Sequence, residues 1–172
     1  LRELGIKHVV IQAFDIEDKG PSGRIKSLQR MLPLVEKGGF QSILIDTAVM
    51  SLPFTAFSMA ANRLIKQKFG LPVGCAPANG TYMWRKSLAA GNRNKFVAAD
   101  AAIHAIAALT SDFLFYGPMT GTSRVFPAVA AATCLLATLA YEEDKPLPKQ
   151  THPLNLLFPE ILEQLAKEQG KE

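Results

Sequence analysis

Polar residues follow two apolar runs that are typical of buried β-strands. Asp46 ends the run "SILID", and Asn79 lies in "LPVGCAPANG", shortly after the next run. A carboxylate beside apolar surface can accept two parallel hydrogen bonds from a flat pair of N–H donors, such as the edge of a pterin or a guanine. An amide such as Asn79 offers one acceptor and two donors without a charge. These residues are therefore candidates for binding a flat heterocycle.

Both residues also have ordinary structural interpretations. Asp46 could cap a loop by accepting bonds from backbone N–H groups. Asn79 precedes a glycine, and Asn-Gly is typical of tight turns. Cys75 has no histidine near it in the sequence, so we expect it to pack at a strand end. His104 lies in the Ala-rich segment "AAIHAIAAL", and we expect it to be a packed or surface histidine.

A second candidate site is the loop "GPMTGTS" at residues 117–123. Its glycines and hydroxyls precede a helical pattern, and a helix N-terminus attracts anions such as phosphate. Arg124 would lie in the first turn of that helix. The alternative is an ordinary helix start capped by Thr122 or Ser123.

Composition narrows the class of protein. The chain has 172 residues, enough for one domain with a core, and 19 basic against 15 acidic residues give a net charge of +4. The basic residues are scattered, which argues against nucleic-acid binding. The two cysteines lack the spacing of metal ligands, so we expect no metal site. They also favour a reduced, cytoplasmic location. The chain begins without Met, and we expect it to be part of a larger protein.

The longest apolar stretch, at residues 125–141, reads "VFPAVAAATCLLATLAY". It contains a proline and is shorter than the roughly 20 residues that a membrane-spanning helix needs. The sequence therefore predicts a buried helix and no membrane span.

A short β-rich run followed by a helical pattern recurs four times. Such alternation, with strands that are apolar throughout, predicts a parallel sheet covered on both faces. No G-x-G-x-x-G or Walker-type motif supports a nucleotide-binding sheet, and four units are half of a (β/α)8 barrel. We place the strands at residues 8–14, 42–46, 71–74 and 112–117, and the helices at 24–37 (with Pro33 a possible break), 55–69, 81–88, 96–109, 122–141 and 159–169.

In a barrel, chemistry gathers at the carboxyl ends of the strands. The first three predicted strands bring Gln12, Asp46 and Gly74 to that edge, and Asn79 follows in the next loop. We expect Gly74 to let a flat ligand approach the backbone closely.

Five segments, in this order, resemble one known family: "LIDTAV", "KFGLPVG", "SDFLFYGP", "VFPAVA" and "HPLNLLF". The resemblance is to the H subunit of tetrahydromethanopterin S-methyltransferase, a family that includes bacterial relatives acting on methyl-tetrahydrofolate. It covers most of the chain, from about Ile6 to Phe158. The family resembles the wider group of pterin-binding TIM barrels.

The resemblance implies that residues 1–145 are the C-terminal half of such a barrel, strands five to eight, and that residues 146–172 are a tail with a short helix. It implies transfer of a methyl group between N5 of a tetrahydropterin and the cobalt of a corrinoid carried by another protein. Asp46 would hold the pterin ring and Asn79 would act near N5 as the catalytic residue. Gln12 and Gly74 would complete the pterin contacts.

The resemblance also suggests a homodimer, in the cytoplasm or at the periphery of a membrane complex. Tetrahydrofolate and tetrahydromethanopterin both remain open as carriers. Two other functions are also open: a subunit that binds the pterin or the corrinoid protein without catalysis, and a phosphate-binding barrel enzyme that uses the loop at residues 117–123.

Overall fold

The computed structural model describes residues 4–88, 90, 92–143, 145–146 and 148–168. It is an α/β structure in which strands and helices alternate, as the sequence predicted. The strands are β1 (His8–Gln12), β2 (Ser42–Asp46), β3 (Val73–Cys75) and β4 (Phe113–Leu114). The helices are α1 (Pro21–Gly38), α2 (Phe54–Phe69), α3 (Pro77–Met83), α4 (Arg85–Leu88), α5 (Arg93–Ala108), α6 (Thr122–Glu142), α7 (Pro153–Leu157) and α8 (Pro159–Glu168).

The four strands form one parallel sheet in the order β1-β2-β3-β4, and one face of it carries the hydrophobic core. The register places Ile11, Ile45 and Val73 in one row across three strands. Two residues further along β3, Cys75 packs against Ala107 of α5. The row itself packs against buried residues of α1 and α2, namely Leu28, Ala61 and Ile65. Helices α1, α2 and α5 therefore lie on the same side of the sheet.

The opposite face of the sheet is partly open in the described part of the chain. Val10 is 48% exposed and Phe115 is 42% exposed, while Leu44 is half-buried. Among the residues described, helices cover only one face of the sheet, and the prediction of a sheet covered on both faces stays a prediction. A sequential strand order with one covered face is compatible with part of a (β/α) barrel, where the other face turns inward.

Several element boundaries differ from those predicted. Helix α1 begins at Pro21, because proline suits the first helical turn, where no N–H bond is needed. It continues through Pro33 and ends where Gly39 takes a left-handed conformation with φ 66°. The helix predicted at residues 81–88 is two short helices, α3 and α4, separated at Trp84.

Helix α6 is not the buried helix that the sequence predicted. It has 21 residues, and Phe126, Leu135 and Leu139 on it are more than half exposed. Residues 119–142 are long and apolar enough to cross a membrane, so the length argument against a membrane span does not hold for this helix. Only 22% of its most apolar window is buried in the structure, less than a core helix would show. The helix packs on α5, and its buried residues are Val125, Ala132, Cys134 and Tyr141.

Arg24 of α1 is fully buried and joins the loops that follow β1 and β2. Its Nε donates to the carbonyl oxygen of Thr47 at 2.6 Å, and its Nη2 donates to that of Ala48 at 2.9 Å. Its Nη1 donates to the carbonyl oxygens of Lys19 and Gly20. Burying a guanidinium is costly unless its donors are used, and here backbone acceptors on both loops use them.

Replacing Arg24 with methionine should therefore destabilise the protein. The carbonyl groups of Thr47 and Ala48 would lose their Arg24 donors, and we expect a loss of about 3 kcal/mol in the free energy of unfolding, measured by urea denaturation. Arg30→Met is the matched control, because Arg30 is 68% exposed and pairs with Asp15 at the surface. The control should lose less than about 1 kcal/mol. Equal losses in the two variants would contradict a structural role for Arg24.

Candidate functional site

Three of the predicted site residues form one row at the carboxyl ends of the strands. Gln12 pairs with Asp46, and Asp46 pairs with Gly74. Side chains alternate between the two faces of a sheet, so this row points away from the face that carries Ile11 and Ile45. The register therefore brings Gln12 beside Asp46 on the open face of the sheet.

The carboxylate of Asp46 is half-buried at the end of β2. Burial raises its pKa. Three weaker effects lower it: a hydrogen bond from the backbone N–H of Ala48, a hydrogen bond from the Gln12 side chain, and the positive charge of Arg24. The Ala48 N–H donates to Oδ1 at 2.9 Å. Asp46 thus has the loop-capping role considered above and is also a partly desolvated acceptor beside an exposed amide.

The loop after Asp46 is held in a specific conformation. Ala48 has a positive φ of 49°, which is unusual for a residue other than glycine. Its carbonyl oxygen accepts bonds from Arg24 and from the hydroxyl of Ser58, at 2.9 and 3.1 Å. Arg24 and Ser58 also donate to the carbonyl oxygen of Thr47, so the backbone is held on both sides of the N–H that binds Asp46.

Asn79 lies in the first turn of α3, whereas the sequence predicted a loop at this position. Pro77 starts the helix, and the N–H of Asn79 donates to the carbonyl oxygen of Ala76 at 3.0 Å. The Asn79 side chain is exposed and lines an open hollow of about 520 Å³. We call this the strand-end hollow; its other lining residues are Val49, Met50, Tyr82 and Met83.

Asp46 and Asn79 lie at the same edge of the sheet. Asp46 ends β2, Asn79 follows the end of β3, and both strands run in the same direction. Val49 and Met50, which follow Asp46 in the chain, line the hollow with Asn79. Among the residues described, no hydrogen bond joins the two side chains.

Gly74 is needed for packing between β3 and β4. A Cβ atom there would collide with the carbonyl oxygen of Phe113 and come within 2.9 Å of its ring. The space beside the Gly74 backbone is therefore filled by Phe113. The predicted contact between Gly74 and a flat ligand stays a prediction.

The structure gives Cys75 no catalytic character. It is fully buried in β3, and burial raises the pKa of its thiol to about 11. At neutral pH it is a thiol rather than a nucleophilic thiolate, in agreement with a packing role. In the described part of the chain, no group of three His, Cys, Asp or Glu residues could hold a metal ion.

A buried carboxylate that sequence reasoning did not single out, Asp100, links three helices. It lies on α5 with no exposed surface and accepts bonds from Thr81 of α3 and from Arg124 of α6, both at 2.5 Å. The Nδ1 of His104 lies 3.4 Å from it and 2.7 Å from its backbone oxygen. His104 is fully buried, so of the two interpretations offered by the sequence, a packed or a surface histidine, the packed one holds. Asp100 sits amid alanines on α5, and its position in that apolar pattern was the available signal.

Next to Asp100 is a cavity of about 360 Å³ that contains three arginines. We call it the arginine cavity; it is lined by Tyr82, Arg85, Arg93, Phe96, Val97, Pro118, Thr120 and Arg124. Arg124 was a predicted anion ligand, but Arg85 and Arg93 were interpreted as scattered surface charges. Their spacing of eight residues gave no local motif.

The loop at residues 117–123 differs from the predicted cradle. Met119–Gly121 form a 3-10 turn, and α6 begins at Thr122 after Gly121. No side-chain hydrogen bond caps this helix, so the predicted cap by Thr122 or Ser123 is wrong. The loop contributes Pro118 and Thr120 to the arginine cavity instead.

Comparisons with known proteins give a consistent relationship. The family model described as the MtrH subunit of tetrahydromethanopterin S-methyltransferase matches residues 1–145. The same subunit of that enzyme from Methanocaldococcus jannaschii is 33% identical over 178 aligned positions, covering 91% of this chain and 56% of the relative. Its counterpart from Methanosarcina acetivorans is 31% identical, covering 91% and 55%. The Methanococcus aeolicus counterpart is 30% identical, covering 92% and 56%.

The chain spans about half the length of these curated relatives. The match nevertheless extends along nearly all of this chain, and the family model includes all four strands and the helices α1 to α6. The chain therefore belongs to the family of tetrahydromethanopterin S-methyltransferase MtrH subunits.

Proposed function

We propose that this chain takes part in methyl transfer between N5 of a methyl-tetrahydropterin and the cobalt of a corrinoid protein. The observation that carries the proposal is the match of residues 1–145 to the MtrH family. The names of the relatives include a methyltransferase and tetrahydromethanopterin. Either tetrahydromethanopterin or tetrahydrofolate is the methyl carrier, and the corrinoid is supplied by a partner protein.

We also propose that the sheet is strands five to eight of a pterin-binding TIM barrel. The sequential parallel order and the partly open face support this assignment. In a barrel that face turns inward, and its carboxyl-terminal edge carries the active site. Residues 1–145 would be the barrel half, and residues 146–172 would be the tail.

Asp46 is proposed to bind the pterin ring. The N–H groups along one edge of the ring suit a carboxylate, which accepts two parallel bonds. The Gln12 side chain interacts with the same carboxylate, so we propose that it orients Asp46 or contacts the ring. The contacts that hold Ala48 fix the loop, so little ordering would be required when the ring binds.

Asn79 is proposed to act at N5. A tertiary amine is a poor leaving group, and it leaves more readily if the nitrogen gains a hydrogen bond as the C–N bond breaks. The Asn79 amide cannot supply a proton, but it can stabilise charge that develops on nitrogen. One such bond contributes roughly 1–3 kcal/mol, so most of the acceleration must come from aligning the methyl group with the cobalt.

The assembly follows as a further part of the proposal. The names of the relatives describe one subunit of a larger enzyme. We propose a homodimer that meets a corrinoid protein, located in the cytoplasm or at the periphery of a membrane complex. A non-catalytic subunit would have the same pterin site without turnover, and the assay below separates the two.

Asn79→Ala should lower the rate of methyl transfer about tenfold or more, because one hydrogen bond at N5 would be lost. The measurement is methyl transfer from methyl-tetrahydrofolate or methyl-tetrahydromethanopterin to free cob(I)alamin. Gln29→Ala removes an exposed amide on α1 and is the control, with an unchanged rate expected. Full activity in Asn79→Ala would rule out the role of Asn79, and no turnover by the full-length protein would favour the binding subunit.

Asp46→Asn should weaken pterin binding, because an amide cannot accept two bonds from the ring edge. The effect should also depend on pH. Because the pKa of Asp46 is raised, its carboxylate becomes protonated at a higher pH than that of an ordinary aspartate. Pterin affinity should therefore also be lost at a higher pH. Calorimetric titrations from pH 7 downward should therefore converge for the two proteins.

The stability of Asp46→Asn gives an independent check. A raised pKa in the folded state means that ionised Asp46 destabilises the fold as the pH rises through that pKa. Asp46→Asn should thus unfold at the same or a higher denaturant concentration than the unaltered protein at pH 7. Unchanged pterin affinity in an Asp46→Asn protein that folds as stably as the unaltered one would contradict the proposed role, and lower stability would contradict the raised pKa of Asp46.

A further inference from the structure

The arginine cavity has more positive charge than its surroundings neutralise. Three of its eight lining residues are arginines, and the carboxylate that contacts it is Asp100. One carboxylate oxygen of Asp100 accepts from Arg124 and the other accepts from the Thr81 hydroxyl. Asp100 therefore does not pair with a second arginine of the cavity. Arg85 and Arg93 form no ion pair with any of the residues described. The cavity therefore has two guanidinium charges without a paired anion.

Two of these arginines are held in place by aromatic rings. Arg85 lies over the rings of Tyr82 and Phe96, with 5.5 Å from its Cζ to each ring centroid. Arg124 lies over the same two rings, at 5.8 and 5.4 Å, and its Nη2 donates to the Tyr82 hydroxyl at 2.8 Å. Stacking and hydrogen bonding order these side chains in advance, so each guanidinium loses less conformational entropy when it binds an anion.

The geometry suits a carboxylate or a phosphate. A guanidinium presents parallel N–H donors that match two oxygens of either group. Thr120 adds a hydroxyl to the lining. The cavity is open to solvent, because Arg85, Arg93 and Thr120 are exposed.

The arginine cavity and the strand-end hollow share one lining residue. Tyr82 lines both, and it lies three positions after Asn79 on α3. Residues three apart on a helix share a face. A ligand in the strand-end hollow and a ligand in the arginine cavity would therefore both contact Tyr82.

We propose that the arginine cavity binds the anionic end of the reduced pterin whose ring lies at Asp46 and Asn79. Tetrahydropterin carriers end in carboxylates or in a phosphate, and both are oxyanions that pair with guanidinium groups. The assignment to a pterin rests on the proposed function. Recognition of an oxyanion by Arg85 and Arg93 rests on the cavity alone.

The test uses the double variant R85Q/R93Q and calorimetry with two pterins. The ligands are 5-methyltetrahydrofolate, which has a glutamate tail, and 6,7-dimethyltetrahydropterin, which has none. Loss of charge-assisted bonds should lower affinity for the first at least about tenfold and leave the second unchanged. Arg124 is kept, because it binds Asp100 and its loss would disturb three helices.

The matched control is K86Q/K95Q, which removes two exposed positive charges from the same helices outside the cavity lining. Its affinity for both pterins should equal that of the unaltered protein. Equal losses in the two double variants would overturn the proposal, because they would indicate a long-range charge effect. Unchanged affinity of R85Q/R93Q for 5-methyltetrahydrofolate would overturn it too.

Inorganic phosphate separates this inference from the proposed function. If the unaltered protein binds neither pterin, the proposed function fails, and so does the assignment of the cavity to a pterin. In that case, thermal stabilisation by phosphate that R85Q/R93Q loses would support an oxyanion site for another ligand. If both pterins bind equally well to all three proteins, the proposed function stands and the inference alone fails.

Discussion

The bonds from Arg24 to the loops after β1 and β2 support the edge of the sheet on which the candidate site stands. A buried guanidinium that meets only carbonyl oxygens is not neutralised by them, and burial lowers the pKa of Arg24 while Asp18 and Asp46 favour its charged form. The same positive charge favours the ionised carboxylate of Asp46, whose burial acts against ionisation. One residue thus contributes both to the fold and to the electrostatics of the site.

The remainder of the candidate site depends on how α3 is held. Gly80 approaches the backbone of Leu52 so closely that a Cβ atom would lie 3.1 Å from it, which brings α3 against the segment that follows β2. On the other side, the buried Asp100 binds Thr81. Asn79 lies beside these two anchor points on α3 and remains exposed. The sheet therefore supplies Asp46, and a short helix fixed on both sides supplies Asn79.

Local sequence patterns were sufficient for the α/β class and for the bounds of β2, whereas β1 ends at Gln12 instead of residue 14 and β3 spans Val73–Cys75 instead of residues 71–74. Apolar runs define strands well, and the register of parallel strands then brings Gln12, Asp46 and Gly74 together. Asn79 was assigned to a loop because Asn-Gly is a turn signal. Pro77 starts a helix there, and packing at Gly80 favours it over the turn.

What the sequence did not reveal depends on contacts between distant residues. Arg24 looks like any helix-surface arginine until the loops after β1 and β2 fold over it. Arg85 and Arg93 become neighbours only when α4 and α5 pack beside α6. The apolar residues of the strands indicate burial without indicating which chain segment provides it, so they did not show which face of the sheet the described helices cover.

The backbone of Ala48 has a consequence for ligand affinity. A left-handed conformation costs an ordinary residue roughly 1–2 kcal/mol, so isolated Ala48 would rarely adopt its φ of 49°. Folding imposes that conformation before any ligand arrives, at the expense of global stability. A flexible loop would lose conformational entropy each time a ligand binds. In this protein that entropy has already been lost when the chain folded.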